Sequence, residues 1–540
     1  MSKESPGCLE LFFAPLDSLK FSKDTPVLVF GFEEQDDPGV AKHFPEMESR
    51  RKSIDNISLK GDETVTLQSI LRDGEIYHAG LIYIPFPWRK KREINATGTN
   101  FLREVFCSVK LAVQRLKSEK FKKFSIVLPN RFSPQNVKDK QHREHLYEFV
   151  KTVVEAIVYG NNVYDEHKEK DSRAAEIEEA TFLFFGEEDK ALDGFFRKAI
   201  SDGEIVGRHL ARTKQLIQIA PNFKNPVELV SAILAKESKA EPSKEWRRIR
   251  ISARLTAYVL RGKAALKHNG FELIHAVHQG SETEPCLLRL HYKPKTDRQK
   301  RVKKLVLTGK GVVYDTGGYD LKLTDYYDNM HFDMAGAAVS MAALFMAEEF
   351  NLPVELIAIA PIVENKIGPG AVVPGTILKA YGGKTVKIIN TDSEGRLLMA
   401  EAIAYGQEKF KPDAMITVAT LGDLSEFGPD FLKVGYVGRG NKRKVELASK
   451  LSAEKVLFMP EMEMLNRVDI QHAGWEADLV NDIDSAFHTA PFVFLYNFFK
   501  EELSWFFVDV SAIFESDAQD YGAGPGFGQK FVWHLIQQYS

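Results

Sequence analysis

The chain has few cysteines for its length. Among its 540 residues only Cys8, Cys107 and Cys286 are cysteines. They are odd in number, far apart and in no C-x-x-C pair, so the sequence supports neither a disulfide framework nor a thiolate zinc site. A reduced cytosol is the simplest compartment for such a chain, and we expect a cytoplasmic protein.

Long hydrophobic runs are also missing. The opening "MSKESPGCLELFF" has no apolar core of signal-peptide length, and no run reaches the roughly 18 apolar residues that cross a bilayer. The most aromatic stretch, "PFVFLYNFFKEELSWFFVDVSAIF", is broken by Lys500, Glu501 and Glu502. This pattern predicts a buried helix followed by a buried strand, and no membrane partner.

A strong charge of one sign is lacking as well. The formal net charge is -3, with 44% hydrophobic and 27% charged residues, as in an ordinary globular protein. Nothing therefore attracts the whole chain to nucleic acid or acidic membranes. Residues 89–151 nevertheless carry sixteen Lys or Arg against six Asp or Glu. This stretch is a solvated face or an oligomer contact in one interpretation, and a nucleic-acid surface in the other.

The order of apolar runs predicts two α/β domains. Residues 1–190 alternate the β-rich runs "TPVLVFGF", "AGLIYIPF", "KFSIVLPN" and "EATFLFF" with helical stretches, which favours a smaller domain with a partly parallel sheet. Residues 191–540 contain "FELIHAVHQG", "CLLRLHY", "KKLVLTG", "VELIAIAPIV", "KTVKIIN" and "DAMITVATL". Such continuous apolar runs are typical of strands buried on both faces. We therefore predict a larger C-terminal domain with a mixed, mostly buried sheet flanked by helices, preceded by an exposed connection at "KAEPSKEWRRIR".

Two loops after predicted strands are dense in charge. Ligands bind outside the carboxyl ends of the strands in sheets of this kind. The loop after "KKLVLTG" is "KGVVYDTGGYDLK", and the loop after "KTVKII" is "NTDSEGR". Asp392 and Glu394 lie two apart in the second loop, so in extended backbone both carboxylates face the same way. Taken alone, this pattern also fits an exposed turn with helix-capping acids.

The first loop and the helix after it add charges that could meet the second loop. They contain Lys310, Asp315, Lys322 and Asp333. Four converging carboxylates would repel one another unless cations neutralised them, and two divalent ions would do so. Lys310 could bind a metal only as the neutral amine. Spacing alone does not establish the convergence, so an ion site and separate capping roles both stay open.

Several segments resemble one enzyme family. "GKGVVYDTGGYDLK", "MHFDMAGAA" and above all "NTDSEGRL" are similar to signature segments of the leucine aminopeptidase (cytosol aminopeptidase) family of dinuclear zinc metallopeptidases. The likeness runs in order over roughly residues 195–540, and residues before about 190 resemble only the family's more variable N-terminal domain. The resemblance implies a metallo-aminopeptidase that releases N-terminal amino acids from short peptides through a metal-bridged hydroxide.

The resemblance also implies the metal ligands. They are Lys310, Asp315, Asp333, Asp392 and Glu394. Asp315 and Glu394 would bridge the two ions. Lys310 and Asp333 would complete one ion site, and Asp392 would complete the other.

Two positively charged residues match the family's catalytic positions without being ligands. Lys322 would stabilise the negative charge of the gem-diolate that forms on attack. Arg396 would hold a bicarbonate that shuttles the proton. The expected substrate-binding residues are Met330, Lys322 and Leu421.

The implied cofactors are two divalent metal ions per subunit. Zinc is the first expectation, and manganese, cobalt or magnesium could exchange in one site because oxygen ligands are weakly selective. The implied partners are short peptide substrates and further copies of the chain in a homohexamer. Nucleic acid is not an expected partner, although the basic stretch leaves it open.

The chain departs from the family pattern near the expected substrate pocket. After "VATL" it reads "GDLSEFG", where the family commonly has a Thr-Gly and a longer apolar loop. Thr316 replaces a usual Ser, Phe507 a frequent His, and Ser511-Ala512 a frequent Ala-Gly. Leucine preference therefore does not follow from the resemblance. Two alternatives remain: a narrow dipeptidase, such as one acting on Cys-Gly, and a DNA-binding or scaffolding relative with secondary hydrolytic activity.

Overall fold

The structure is a computed structural model. It describes residues 9–15, 18–19, 22, 24–32, 65–72, 75–84, 101–129, 140–184, 190–235, 242–295, 301–324, 327–422, 431–438, 440–452, 454–459, 476–482, 490–500, 502–514 and 526–540. The chain divides into two compact units, with the boundary between Ala211 and Arg212. The predicted domain boundary, at residue 190, lies instead at the first residue of the helix that carries this division.

The N-terminal unit contains a six-stranded sheet within the described residues. Its strands are β1 Glu10–Pro15, β2 Val27–Phe32, β3 Val65–Arg72, β4 Glu75–Ile84, β5 Lys123–Val127 and β6 Glu179–Phe184. They lie in the order β1-β6-β5-β2-β4-β3. Neighbouring strands are parallel except for the antiparallel β3–β4 pair. The helices are α1 Phe101–Ser118, α2 Lys140–Asn161 and most of α3 Lys190–Gln218. A partly parallel α/β unit is the fold that the alternation of runs predicts.

Part of the basic stretch is buried in this unit. Arg103, Lys110, Lys117 and Lys151 are each at most 7% exposed. Lys117 donates to the backbone oxygen of Asn161, and Lys151 is ion-paired within its own helix. Residues 89–100 and 130–139 lie outside the described residues. The positive excess is therefore not all available to a polyanion.

The C-terminal unit is built on a ten-stranded mixed sheet. Its strands are β7 Ser243–Arg250, β8 Leu255–Arg261, β9 Cys286–Tyr292, β10 Lys303–Gly309, β11 Gly311–Asp315, β12 Val354–Asn365, β15 Ala414–Ala419, β16 Phe431–Val437, β17 Lys455–Phe458 and β19 Ser504–Asp509. A separate small sheet contains β13 Ile377–Lys379, β14 Thr385–Lys387 and β18 Leu479–Val480. The main sheet has the order β17-β16-β19-β15-β10-β12-β9-β8-β7, and β11 pairs with β12.

Parallel strands at the centre of the main sheet direct five chain segments to one edge. β12, β10, β15 and β19 run parallel side by side, and β11 is parallel to β12. Their carboxyl ends therefore meet at the same edge, where ligands bind in α/β sheets. All six residues of β15 are buried, as the continuous apolar run predicts.

Helices cover this sheet. They are α4 Pro226–Leu234, α5 Lys263–His268, α6 Glu272–His278, α7 Ala335–Glu349, α8 Glu394–Phe410, α9 Asn441–Ser452, α10 Ala490–Tyr496 and α11 Gln529–Gln537. The stretch Met330–Glu349, which includes α7, is long and apolar enough to cross a membrane by composition, but 83% of its apolar window is buried inside the protein. A helix that is apolar on all sides is typical of a protein core.

Three local predictions are wrong. "FELIHAVHQG" contains helix α6, the described part of "KAEPSKEWRRIR" contains the largely exposed edge strand β7, and "KTVKIIN" contains β14 of the small sheet. Short apolar runs look alike locally in helices and strands. In α6 the deciding contact is distant in sequence: the Glu401 carboxylate accepts from Ile274 N at 2.9 Å and so satisfies the first turn. "NTDSEGR" consequently reaches the sheet edge as the start of α8, not as a loop after a main-sheet strand.

Candidate metal centre

The first charged loop places three predicted residues at the carboxyl edge of the main sheet. Lys310 directly follows β10, and Asp315 ends β11. Asp333 follows the 3-10 turn Met330–Phe332 and precedes α7. All three residues are buried, with at most 4% of their surface exposed. They are therefore held by the sheet and helix rather than by a solvated turn.

The second loop, which lies about 60 residues later in the chain, reaches the same edge of the sheet. Asp392 lies in the 3-10 turn Thr391–Ser393, and Glu394 is the first residue of α8. The side chain of Asn390 accepts from Asp392 N at 2.8 Å and fixes this turn. Tight local geometry thus aims both carboxylates inward.

The structure brings all five predicted ligand residues together. Carboxylate oxygens of Asp315, Asp392 and Glu394 lie within 4.8 Å of one another. Lys310 Nζ lies 2.8 Å from Asp333 Oδ2 and 2.8 Å from Glu394 Oε1. The convergence that spacing left open is therefore present.

Two lysines lie between the four carboxylates. Lys322 Nζ is 2.8 Å from Asp315 Oδ2 and also contacts Asp392 Oδ1. Lys310 Nζ additionally donates to the backbone oxygen of Thr420 at 2.8 Å. With both lysines protonated and all four carboxylates ionised, the cluster has two negative charges in excess. Such an excess in a buried site attracts cations.

Burial and mutual repulsion raise the pKa of three carboxyl groups. Burial is the main cause at Asp392, whose pKa rises to about 7, and the charge of Asp315 adds to it. Burial likewise raises the pKa of Asp333 and Glu394, again with help from neighbouring carboxylates. Burial lowers the pKa of Lys310, but the negative charges of Asp333 and Glu394 outweigh it and the pKa is raised. The centre is short of positive charge.

The unused oxygens fit divalent cations. Among the described residues, Glu394 Oε2 is a buried oxygen without a hydrogen-bond partner, and Glu394 Oε1 and Asp333 Oδ2 have the Lys310 ammonium at 2.8 Å as their contact. Buried carboxylate oxygens are almost always hydrogen-bonded or bound to metal. Carboxylates are the ligands that hard and borderline divalent ions accept. We conclude that these residues fit a two-ion site, with Lys310 able to join it only after losing its proton.

Two glycines make room for the cluster. A Cβ at Gly395 would lie 2.6 Å from Lys310 Cε and 2.4 Å from Leu421 Cδ2, so a side chain there would displace the lysine. Gly317 has φ +85°, which a side chain disfavours, and its amide donates to Asp315 Oδ1 at 2.9 Å. Gly395 thus lets the second loop lie close to Lys310, and Gly317 gives the first loop a turn with positive φ.

Asn365 and Thr420 donate hydrogen bonds to carboxylates that are predicted ligands, and neither residue is among the sequence predictions. Asn365 Nδ2 donates to Asp315 Oδ1 at 2.8 Å and to Thr391 O at 3.1 Å, which links the two loops. Thr420 Oγ1 donates to Asp333 Oδ1 at 2.6 Å. A signal existed: Asn365 ends the run "VELIAIAPIVEN" and Thr420 follows "AMITVA", so both lie at strand ends.

Arg396 lies in the first turn of α8, two residues after Glu394. Its guanidinium is buried, with Nη1 2.6 Å from Asp482 Oδ1 and 2.8 Å from Asn481 O. No local sequence pattern indicates Asp482 as a partner, because it lies 86 residues after Arg396. The predicted catalytic arginine therefore has a carboxylate partner supplied by the chain.

A family model decides the relationship of the chain. The model of the cytosol aminopeptidase family catalytic domain matches residues 211–532, more than half of the chain. The chain belongs to the cytosol aminopeptidase family.

Relatives of the same family cover different shares of the chain. A probable cytosol aminopeptidase of Cenarchaeum symbiosum is 36% identical over 265 residues, 49% of this chain and 51% of the relative. One of Pseudomonas fluorescens is 32% identical over 275 residues, again 51% of its length, so the match spans about half of these two relatives. One of Protochlamydia amoebophila is 27% identical over 509 residues, 91% of this chain and 90% of the relative.

A solved structure shares the fold. The bottromycin maturation enzyme BotP in complex with Mn superposes with a TM-score of 0.73 at 20% identity, covering 95% of this chain and 99% of that one. At this identity the likeness shows the fold only. This shared fold agrees with the α/β fold that the sequence predicts.

In this member of the cytosol aminopeptidase family, a cavity of about 460 Å³ opens onto the charged cluster. The three predicted substrate-binding residues, Met330, Lys322 and Leu421, all line it. Phe514 and Arg396 line it as well. The cavity therefore combines apolar side chains with the candidate metal centre.

The departures from the family pattern have different surroundings. Thr316 Oγ1 donates to Asn365 O at 2.9 Å, so its hydroxyl stabilises the first loop. Phe507 is buried in β19 against Phe492, while Ser511 lines the cavity. Of the altered loop, only Gly422 and what precedes it are described; residues 423–430 lie outside the described residues. Ser511 and Gly422 are thus the described departures that line the cavity.

Proposed function

We propose that this chain is a metal-dependent aminopeptidase that releases N-terminal amino acids from short peptides. The observation that carries the proposal is the convergence of Asp315, Asp333, Asp392 and Glu394, in which Glu394 Oε2 is buried without a hydrogen-bond partner and only two lysines supply positive charge. Membership of the cytosol aminopeptidase family supports the reaction class.

The charged side of the cavity suits attack on a peptide bond. When bound, two divalent ions would polarise the scissile carbonyl and lower the pKa of a shared water, which supplies hydroxide near neutral pH. Lys322 lies beside Asp315 and Asp392 and faces the cavity, so its ammonium can stabilise negative charge that develops on the carbonyl oxygen. The hydroxide would be the nucleophile, so no side chain needs to attack the carbonyl.

The apolar side of the cavity suits the first side chain of a peptide. Met330, Leu421 and Phe514 are apolar residues that line the same cavity as the carboxylates. Removing an apolar side chain from water onto such residues stabilises binding by roughly 25 cal/mol per Å². A free peptide amine beside the negative cluster would explain removal of one residue from the N-terminus. Preference for one amino acid depends on the loop after Leu421.

Zinc is the first metal we propose, with manganese, cobalt or magnesium exchangeable in one site. The donor set consists of carboxylates and one amine, which discriminates weakly between divalent ions. The structure of BotP is a complex with Mn, which is a property of that protein.

The test is metal-dependent hydrolysis. Chelator-stripped protein is assayed on a panel of aminoacyl-aminocoumarins and dipeptides before and after addition of Zn²⁺, Mn²⁺ or Co²⁺. We expect metal to restore hydrolysis in the wild type and not in Asp392→Ala. Glu408→Ala, an exposed position on the same helix as Glu394, is the matched control and should behave as wild type.

The panel also separates the alternatives. Hydrolysis of Cys-Gly alone would replace the broad aminopeptidase with a narrow dipeptidase. Absence of hydrolysis with every metal, in folded protein, would contradict the proposal and direct attention to a binding role.

We further propose a cytoplasmic homohexamer. The two cysteines that the structure describes, Cys107 and Cys286, are buried and form no disulfide bond, which supports a reducing compartment. The family resemblance is the support for six subunits. Light scattering after size exclusion should give six times the chain mass of 61.0 kDa; a monomer or dimer mass would contradict this assembly.

A further inference from the structure

The carboxylate of Asp482 is held at both oxygens inside the candidate site. Its Oδ1 lies 2.6 Å from Arg396 Nη1. Its Oδ2 accepts from Asn390 Nδ2 at 2.6 Å and from Ser393 Oγ at 2.8 Å. All three donors belong to the segment 390–396 that also carries Asp392 and Glu394. Asp482 is thus connected to the metal-binding loop by every one of these contacts.

A buried arginine needs an anion nearby. Arg396 is 6% exposed, and leaving a buried guanidinium without a negative partner is strongly unfavourable. Asp482 supplies that partner and lines the same cavity as Arg396. A second anion beside Arg396 would lie close to the Asp482 carboxylate and be repelled by it. The residues present therefore do not fit the bicarbonate that the family resemblance implies for this position.

We propose that Asp482 is the built-in anion of this site and takes the place of a free bicarbonate at Arg396. The inference rests on the proposed aminopeptidase function and deepens it. Asp482 acts through Arg396 and the loop 390–396, so it is a positioning residue. Two consequences follow: hydrolysis by the wild type should not depend on bicarbonate, and removing the carboxylate should open a site for small anions.

The first experiment measures hydrolysis by the metal-loaded full chain in carbonate-free buffer with increasing sodium bicarbonate, formate or acetate. We expect the wild type to be unaffected. Asp482→Ala should lose about 10- to 100-fold in kcat/KM, the range for loss of a charge-assisted hydrogen-bonded pair, and regain activity as the anion is added. Asp482→Asn fills the space without the charge, so it should lose activity and not regain it.

Asp478→Ala is the matched control. Asp478 lies on the same short segment but hydrogen-bonds to Thr385 outside the cavity. It should show wild-type activity and no response to anions.

The second experiment does not require hydrolysis. Isothermal titration calorimetry with sodium bicarbonate should show no binding to the wild type and binding to Asp482→Ala. Adding Arg396→Ala to Asp482→Ala should abolish that binding, because the guanidinium would be the anion's partner. Anion binding to Asp482→Ala in a chain that hydrolyses nothing would contradict the proposed function and still support this inference.

Either of two results overturns the inference. One is stimulation of the wild type by bicarbonate, or its binding to the wild type; this test remains even if Asp482→Ala does not fold. The other is a folded Asp482→Ala that neither binds nor responds to any of the three anions.

Discussion

Lys310 and Lys322 have different surroundings, and the difference separates their roles. Lys310 is 4% exposed and is fixed by Asp333, Glu394 and a backbone carbonyl. Lys322 contacts Asp315 and Asp392, and its side chain is 12% exposed against 5% for that of Lys310. A ligand lysine must lose its proton, whereas a lysine that stabilises negative charge must keep it. We therefore propose Lys310 as the ligand and Lys322 as the cation.

Asn365 offers a test of how the ligand carboxylates are positioned. Its amide donates to both Asp315 and the backbone of Thr391. In Asn365→Asp the donor becomes an acceptor that faces Asp315, so the carboxylate should turn away. We expect metal affinity to fall about 10- to 100-fold, the usual effect of losing a hydrogen bond to a ligand. Calorimetric titration of the stripped protein with Zn²⁺ measures it.

The control for this change is Asn351→Asp, at a turn outside the cavity where the side chain already accepts a hydrogen bond from Arg254. It should bind Zn²⁺ as wild type does. If Asn365→Asp also binds Zn²⁺ with the wild-type affinity, Asn365 does not position Asp315.

Residues of the site differed in how far the sequence could predict them. The seven predicted ligand and catalytic residues lie in a few short motifs. These motifs resemble those of a known family, so the resemblance alone identifies the seven positions. Asn365, Thr420 and Asp482 act through single contacts with partners far along the chain. No local pattern encodes such a contact, although the strand-end position of Asn365 and Thr420 was a usable signal.

At the scale of elements, Lys224 connects the end of a helix to the turn that carries Met330. This lysine is 1% exposed, and its Nζ donates to Ile217 O at 2.8 Å and to His331 O at 2.7 Å. Ile217 lies in the last turn of α3, and His331 lies in the turn that carries Met330. The ammonium satisfies helix-terminal carbonyls that would otherwise lack donors.

Burial gives Lys224 a measurable pH dependence. Burial lowers its pKa from 10.5 to about 7. Between those values the unfolded chain binds more protons at this lysine than the folded chain, so its contribution to stability rises with pH. We expect the wild type to gain stability relative to Lys224→Met between pH 7 and pH 9.5, measured by urea denaturation.

Lys244→Met, at an exposed position on β7, is the matched control and should show no such change relative to the wild type. A constant difference between wild type and Lys224→Met at both pH values would mean that Lys224 titrates normally in the folded protein.

Elements with long-range partners were the ones that local patterns misassigned. The run "FELIHAVHQG" becomes helical because Glu401 accepts from Ile274 N, and Glu401 also accepts from Tyr381 N. The short strand β14 pairs with β18, almost 100 residues later. The strands at the centre of the main sheet were predicted well, because burial on both faces makes their apolar runs continuous.

At the scale of the whole molecule, the candidate centre belongs entirely to the C-terminal unit. Every ligand residue follows residue 211, and so do four of the five tryptophans: Trp246, Trp475, Trp505 and Trp533. The pattern of apolar runs could not locate the division between the units, because α3 continues across it without a break. Tryptophan fluorescence therefore reports mainly on the unit that would bind metal.

Metal should raise the unfolding temperature of that unit. A ligand that binds only the folded state stabilises it by about 2.7 kcal/mol when its concentration is 100 times its Kd. The gain should be marked here because divalent ions would also relieve repulsion among four carboxylates, three of which are buried. We expect Zn²⁺ or Mn²⁺ to shift the fluorescence-monitored midpoint of stripped wild type upward, and Asp315→Asn to lose most of that shift. Asp413→Asn, which changes a carboxylate at the opposite end of β15, should keep it. An equal shift in Asp315→Asn would place the stabilising ions outside the cluster and contradict the two-ion site.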